Sequence, residues 1–310
     1  MIVSAIWLPS TLLAALFQSW RTAVQLRLRA QLTVSGAGLV RYVYGAPVGL
    51  VLLLGYSLAT GAGWPEIDGT FLVLATAGGV AQILGTNLLI MAFGYRNFVV
   101  GTAFSKTETV QAALFAWLFL GERLSVPAIA GIGVGLAGVA LLTLGGKRLS
   151  LRETLGAIGQ PAALCGLAAG GLFALTGVCV KRATIELGYA DPIRGSLTTL
   201  LTVMLLQSVI HGAYIALREP ATLGQVAATW RTSGQVGILA ALGSAGWFTG
   251  FATAPVALVR LVGQVEVLFT LGFSRLYLGE HIKRHEAVGL LLVAAGVGLA
   301  LLGQVFPVRL

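Results

Sequence analysis

The sequence predicts an all-α membrane protein with ten transmembrane helices arranged as two inverted five-helix repeats. Three observations predict it. Of the 310 residues, 57% are hydrophobic and only 10% charged, with a mean hydropathy of +0.90. The apolar residues fall into segments long enough to cross a bilayer. The second half of the chain also repeats the first at a constant offset of 158 residues. A soluble domain carries about 25% charged residues, so this chain cannot cover a water-facing surface. Disordered chains are poor in hydrophobic residues, and the 42 glycines show no Gly-X-Y period, which excludes collagen. Ten spans of about 20 residues each leave roughly ten residues per loop or tail, with no room for a separate soluble domain.

The spans are expected at 2–26, 34–59, 69–93, 97–120, 126–145, 160–182, 193–217, 233–253, 255–278 and 286–306. The first is an apolar N-terminal span rather than a signal peptide, since it lacks a basic leader and an Ala-x-Ala-like cleavage site. Arg21, Arg27 and Arg29 crowd its C-terminal end. Gly61-Ala62-Gly63-Trp64-Pro65 separates spans 2 and 3, and Gly94-Tyr95-Arg96-Asn97 separates spans 3 and 4. Before span 5, Ser125 suits an N-cap, and Pro127 sits in the first turn, where its missing N–H costs nothing. Cys165 and Cys179 share span 6; fourteen helical residues span about 21 Å, too far for a disulfide.

The polar joint from Gly145 to Glu153 divides the chain almost in half. At the 158-residue offset, Leu120-Gly121-Glu122 aligns with Leu278-Gly279-Glu280, Ala137-Gly138-Val139 with Ala295-Gly296-Val297, and Gly131 with Gly289. Glu108 aligns with Glu266, each inside a span. The division is therefore a first repeat at 1–145, a linker at 146–159 and a second repeat at 160–310. Five spans per repeat is an odd number, so the second repeat enters the membrane from the opposite face and both termini share one side. The net charge of +9 fits Lys and Arg held at one membrane face rather than a nucleic-acid partner. Loops after odd-numbered spans hold Arg27, Arg29, Arg96, Lys147, Arg148, Arg152, Arg218, Arg231, Lys283 and Arg284. The other loops and the tails hold Arg123, Lys181, Arg182, Arg194 and Arg309. That count favours both termini outside.

Phe115-Ala116-Trp117-Leu118-Phe119-Leu120-Gly121-Glu122-Arg123-Leu124-Ser125, followed by the Gly-rich stretch from Gly131 to Leu142, resembles the signature at the end of an EamA-type domain. This is the ten-helix branch of the drug/metabolite transporter superfamily. Leu276-Tyr277-Leu278-Gly279-Glu280-His281-Ile282 is a degenerate second copy in register. The resemblance implies two inverted five-helix repeats, a central cavity lined by helices 1–4 and 6–9, and peripheral helices 5 and 10. It also implies movement of small metabolites, often amino acids, across the bacterial inner membrane. It does not name the substrate. Lys106-Thr107-Glu108 is outside the general signature, so no family role carries over to it.

A charge at the bilayer centre costs about 2.5–3.5 kcal/mol on insertion scales, so such residues face a cavity or a partner. Glu108 and Glu266 fall near mid-depth of spans 4 and 9. They could bind an ammonium group or take up protons, since burial disfavours the charged form of a carboxylate. They could equally pair with a neighbouring Lys or Arg and lock the halves together. On a continuous helix Lys106 lies about 200° from Glu108 and shares a stripe with Thr102 and Thr109. Lys106 could hold a substrate carboxylate, or form a buried ion pair with Glu108 or Glu266. Arg260 and Gln264 are i,i+4 neighbours in span 9; Arg260, nearer a helix end, can snorkel. Gln82, Asn87, Trp247 and Thr249 are candidates to line the cavity. Arg41, with Arg194 and Arg21, is either part of an anion-attracting mouth or an interfacial anchor. Glu122 and Glu280 precede helix starts, where a carboxylate complements the helix dipole.

Gly133-Val134-Gly135-Leu136-Ala137-Gly138 fits G-x-G-x-x-G but has no strand before it; Gly131 and Gly135 read instead as a close helix-packing face. His281, His285 and Glu286 have metal-ligand spacing but sit beside Lys283 and Arg284 in a short loop, so no metal is expected. No Ser-His-Asp set, Cys-x-x-Cys or phosphate loop is visible, so neither an enzyme nor a cofactor is expected. The leading expectation is a secondary transporter of a small polar or zwitterionic metabolite, working by alternating access in the bacterial inner membrane, with export favoured over uptake. Its partners are then its substrate and the lipid bilayer, not nucleic acid. An exporter of cationic drugs or polyamines using Glu108 and Glu266, and a passive channel, are the alternatives. Monomer and homodimer are both open.

Overall fold

The computed structural model describes residues 2–28, 31–63, 65–94, 104–143, 160–269, 272 and 284–305. Every regular element among them is a helix: α1 (Ile2–Leu28), α2 (Val34–Val43), α3 (Gly45–Thr60), α4 (Gly69–Gly94), α5 (Glu108–Leu120), α6 (Val126–Thr143), α7 (Pro161–Glu186), α8 (Pro192–Arg218), α9 (Pro220–Ala228), α10 (Trp230–Thr253), α11 (Val256–Gly263) and α12 (Arg284–Val305). Among the described residues, five segments are long and apolar enough to cross a membrane: 34–60, 69–92, 161–186, 192–218 and 230–253. The helices at 108–120, 126–142 and 287–303 are apolar but shorter.

The 158-residue offset runs through the architecture. Shifted by it, α1 maps onto 160–186, where α7 spans Pro161–Glu186, and α2 with α3 maps onto 192–218, the extent of α8. The N-caps repeat as well. Thr33 accepts from the Gly36 N–H at the start of α2, and its equivalent Asp191 accepts from the Ile193 N–H at the start of α8. The break between α2 and α3 at Tyr44 has a local cause: Pro47 has no N–H to give the Val43 carbonyl.

Two compact units emerge, and each draws on both halves of the sequence. The first comprises Met1–Ile83 and Thr176–Ala254; the second comprises Leu84–Leu175 and Pro255–Leu310. In the first unit α1 lies along α10 so closely that a Cβ at Gly246 would sit 2.5 Å from the Ser10 carbonyl oxygen. Its apolar centre gathers Val24, Leu28, Leu32, Val40, Val226, Val236 and Leu239. Several buried hydroxyls donate within their own helices, as Thr11 to the Trp7 carbonyl and Thr199 to the Gly195 carbonyl illustrate. In an apolar surround this gives those donors a partner without breaking the backbone ladder.

The second unit is built on α6 and α12. A Cβ at Gly131 would lie 2.5 Å from the Gly296 carbonyl oxygen, and one at Gly138 would lie 2.7 Å from that of Gly289. The expected glycine face is therefore a backbone-to-backbone contact. In lipid, where no hydrophobic drive joins apolar helices, such close packing supplies the association. Ala128, Ile132 and Ala300 of this pair pack with Ala257, Leu258 and Leu261 of α11, fixing α11 for the polar groups described below. Gly138→Val should cost about 1–3 kcal/mol by overpacking, seen as a lowered thermal midpoint in detergent. Gly133→Ala, whose added methyl meets open space, should stay within about 1 kcal/mol of the parent.

Candidate functional site

Spans 4 and 9 were expected as continuous helices. Both are interrupted, at positions related by the repeat. Lys106 and Thr107 form a turn before α5, and Gln264 and Val265 form a turn after α11. Glu108 and Glu266 are each the first residue after the break. The hydrogen bonds repeat too: Thr107 N–H to the Phe104 carbonyl and Val110 N–H to the Thr107 carbonyl match Val265 to Val262 and Leu268 to Val265. These are i→i−3 bonds, the tighter 3₁₀ pattern that marks hinges within helices. The Thr107 hydroxyl adds a bond to the Phe104 carbonyl, 2.6 Å, the kind of back-bonding that bends a helix.

Lys106 lies in the turn and not on a continuous helix with Glu108, so the helical spacing expected between them does not apply. Its Nζ forms an ion pair with Glu266 Oε1. Arg260 Nη1 pairs with Glu108 Oε1 at 2.6 Å, and Arg260 Nη2 donates to the Phe173 carbonyl at 2.9 Å. Arg260 therefore turns inward rather than snorkelling. Each repeat-related carboxylate is held by a cation of the opposite repeat, and the four charges sum to zero. Exposure is low, 25% and 16% for the Lys106 and Glu266 side chains and 13% and 19% for Arg260 and Glu108. Beside them Gln264 Nε2 donates to Thr109 Oγ1 at 2.9 Å. Gln111 donates to Thr107 Oγ1 and to the Leu167 carbonyl.

Glu122 also has a different role from the one expected. Gly121 adopts φ +65° and ends α5. The bond from Gly121 N–H to the Trp117 carbonyl closes an αL cap, and Glu122 N–H reaches back to the Ala116 carbonyl. The Glu122 carboxylate then accepts from the Val256 N–H at 2.9 Å, at the first turn of α11 rather than of its own α6. The Leu-Gly-Glu motif thus stops one helix and caps another. Its second copy at Leu278, Gly279 and Glu280 lies outside the described residues, as do Thr102 and His281.

The remaining candidates sit elsewhere. Asn87 is half-buried on α4 in the second unit. In the first unit Trp247 donates to Gln18 Oε1 at 3.1 Å and stacks on Phe251 with centroids 6.0 Å apart. Thr249 is buried on the same helix. Arg194 anchors the joint before α4 by donating to the Gly63 carbonyl and lying 4.4 Å from the Tyr189 ring centre. Arg41 and Gln82 line a crevice with Tyr42, Gln207 and Ser244; these last three residues were not singled out in the sequence. Cys165 and Cys179 are free thiols.

The EamA-like transporter family model matches residues 5–144 and again 160–302. The chain belongs to the EamA-like transporter family. It is thus a multi-pass integral membrane protein of a family that transports small molecules. One solved structure, described only as a crystal structure of a protein, has the same fold. It matches with a TM-score of 0.71 at 17% identity, over 97% of this chain and 99% of that one. No curated protein matches the sequence.

In this EamA-like transporter, Glu266→Gln leaves Lys106 without its counter-charge. Breaking a buried pair costs about 3–5 kcal/mol, and the partial exposure of Lys106 places the loss at the lower end. Combining Glu266→Gln with Lys106→Met should recover most of it. Unfolding in detergent measures both, and simple additivity of the two single losses would contradict the pairing.

Proposed function

We propose that this transporter carries a small polar or zwitterionic metabolite, such as an amino acid, by alternating access between two inverted five-helix repeats, and that the Lys106–Glu266 and Glu108–Arg260 pairs are its recognition and gating element. The observation that carries this reading is the pairing itself. Two interrupted helices at corresponding positions of two repeats are the sequence-level mark of a transporter binding region. Here the interruptions hold two carboxylates and two cations in balance. A zwitterion can exchange with such a set without changing its net charge: its ammonium competes for a glutamate, and its carboxylate for Lys106 or Arg260. Displacing the pairs frees α5 from α11, which couples binding to opening. Gln264, and Thr102 as the repeat equivalent of Arg260, complete the proposed site; Asn87, Trp247 and Thr249 are proposed to line the path.

A cationic drug or polyamine fits less well, because each carboxylate already holds a cation of the chain. Protonating either glutamate would also break its pair, which offers a route to proton coupling. The proposed setting is the bacterial inner membrane, with both termini on one side and export as the direction.

The test is flux of an amino-acid and organic-cation panel in proteoliposomes, with and without a pH gradient. Glu266→Gln and Lys106→Gln should each lower flux at least tenfold. The charge-swapped variant, Lys106→Glu with Glu266→Lys, should restore stability but not flux. Full recovery of flux on swapping would make the pair purely structural. Glu108→Gln and Glu266→Gln should abolish any dependence on the pH gradient; unchanged dependence in both would remove proton coupling through these residues.

A further inference from the structure

The two ends of the first unit differ in charge. In it α1 and α10 run antiparallel, with Ser10 against Gly246 and Phe17 against Gly243, so α1 ends where α10 begins. α8 ends there too, because α9 joins it to α10 over Pro220–Ala228. At this end stand Arg27, Arg218 and Arg231, all exposed. Glu219 is the one carboxylate among the described residues of 25–36 and 214–235, and it is engaged. It accepts from Thr33 at 2.8 Å, Ser35 at 3.0 Å and Thr222 at 3.3 Å. The other end carries the acids. There Tyr56 donates to Asp191 and Tyr189 to the Glu66 carbonyl, which places Glu66, Asp68, Glu186 and Asp191 at its joints. Arg182 at that end is already paired to Glu186 at 3.0 Å.

Helix α9 supplies a second observation. It falls between the spans expected at 193–217 and 233–253. Nine helical residues reach about 14 Å, less than half of a roughly 30 Å hydrocarbon core, so α9 does not cross. It begins where α8 ends and finishes where α10 begins, so it lies across the end of the unit. Its inner side is fastened. Thr222 and Val226 are buried, Val226 packs with Leu28, Leu32 and Val236, and the Tyr44 hydroxyl donates to the Val226 carbonyl at 3.0 Å. Leu223 and Ala227 are exposed. Trp230, just beyond α9, is 59% exposed, and the Arg231 guanidinium lies 5.4 Å from its ring centre. Tyr214, just before Arg218, is exposed as well. Indole and phenol rings with one apolar and one wet side belong at the headgroup level of a bilayer.

We propose that this end of the first unit docks anionic phospholipid headgroups, with α9 lying in the plane of the membrane interface. Arg218 and Arg231 bracket α9 and meet the lipid phosphates, while Trp230 and Leu223 sit against the upper acyl chains. The one described carboxylate of this end is held by three hydroxyls and not by an arginine, so the positive charge faces the lipid. The inference rests on the helix ends of the first unit and not on the transport reading.

The experiment is native mass spectrometry of the full chain in detergent, titrated with dioleoylphosphatidylglycerol or with dioleoylphosphatidylcholine at low ionic strength. The anionic lipid should bind roughly tenfold or more tightly than the zwitterionic one, and added salt should narrow the gap. Arg218→Gln and Arg231→Gln should each weaken phosphatidylglycerol binding about fivefold, at about 1 kcal/mol per surface arginine. The double variant should weaken it about 25-fold, because the two positions are far enough apart to act independently. Phosphatidylcholine binding should be unchanged in all three, which shows that they are folded. Arg182→Gln, at the opposite end, should keep the parental affinity for phosphatidylglycerol. Equal binding of the two lipids, parental affinity in the double variant, or an equal loss in Arg182→Gln would overturn the proposal. Displacement of phosphatidylglycerol by inorganic phosphate would make this a site for the free anion and would overturn the lipid assignment.

Discussion

A carboxylate within an apolar helix needs a cation beside it, and the second unit is organised around meeting that need twice. Glu108 takes Arg260 and Glu266 takes Lys106. Because each partner comes from the opposite repeat, neutralising the charges ties the start of α5 to the end of α11. The remaining contacts at this junction agree with that link. Gln264 bridges to Thr109, Glu122 caps the first turn of α11, and Ala257, Leu258 and Leu261 seat α11 on the glycine-packed pair α6 and α12. Removing one charge would leave the other buried alone, so the four side chains act as a unit rather than as separate contacts.

The pairing also gives a reason for the helix breaks. On an unbroken helix Lys106 and Glu108 would point about 200° apart. The 3₁₀ turns at 106–107 and 264–265 lie where each repeat brings its charges together. Such turns exchange good α-helical bonds for poorer i→i−3 ones. They persist where the surrounding structure compensates, here through two ion pairs and the Thr107 hydroxyl. A junction made of exchangeable bonds between two interrupted helices is suited to opening, whereas the backbone contact of Gly131 with Gly296 is suited to staying shut.

Much of this was legible in the residues. Low charge and high hydropathy exclude a soluble protein, and the 158-residue offset read from one pair of loops and two glutamates carries over to helix bounds and N-caps across the chain. The mid-depth glutamates and the possibility of pairing with Lys106 or Arg260 were also visible, since so few charges lie far from the loops. The breaks were not. Neither Pro nor Gly stands at 106–107 or at 264–265, so no breaker residue marks either turn. Nor was the cap from Glu122 to Val256, since a sequence shows a carboxylate next to its own following helix and not one 134 residues away. The Arg41 crevice draws on four helices, and nothing in the local pattern around Tyr42 or Gln207 signals that they line one crevice.

The central claim is that α5 and α11 part during turnover. It is tested most directly by joining them. With Cys165 and Cys179 replaced by Ser, cysteines at positions 109 and 264 can be bridged by a short cleavable thiol cross-linker, and flux followed in proteoliposomes. The account predicts that cross-linking stops flux and that cleaving the bridge restores it. Undiminished flux through the cross-linked chain would contradict it.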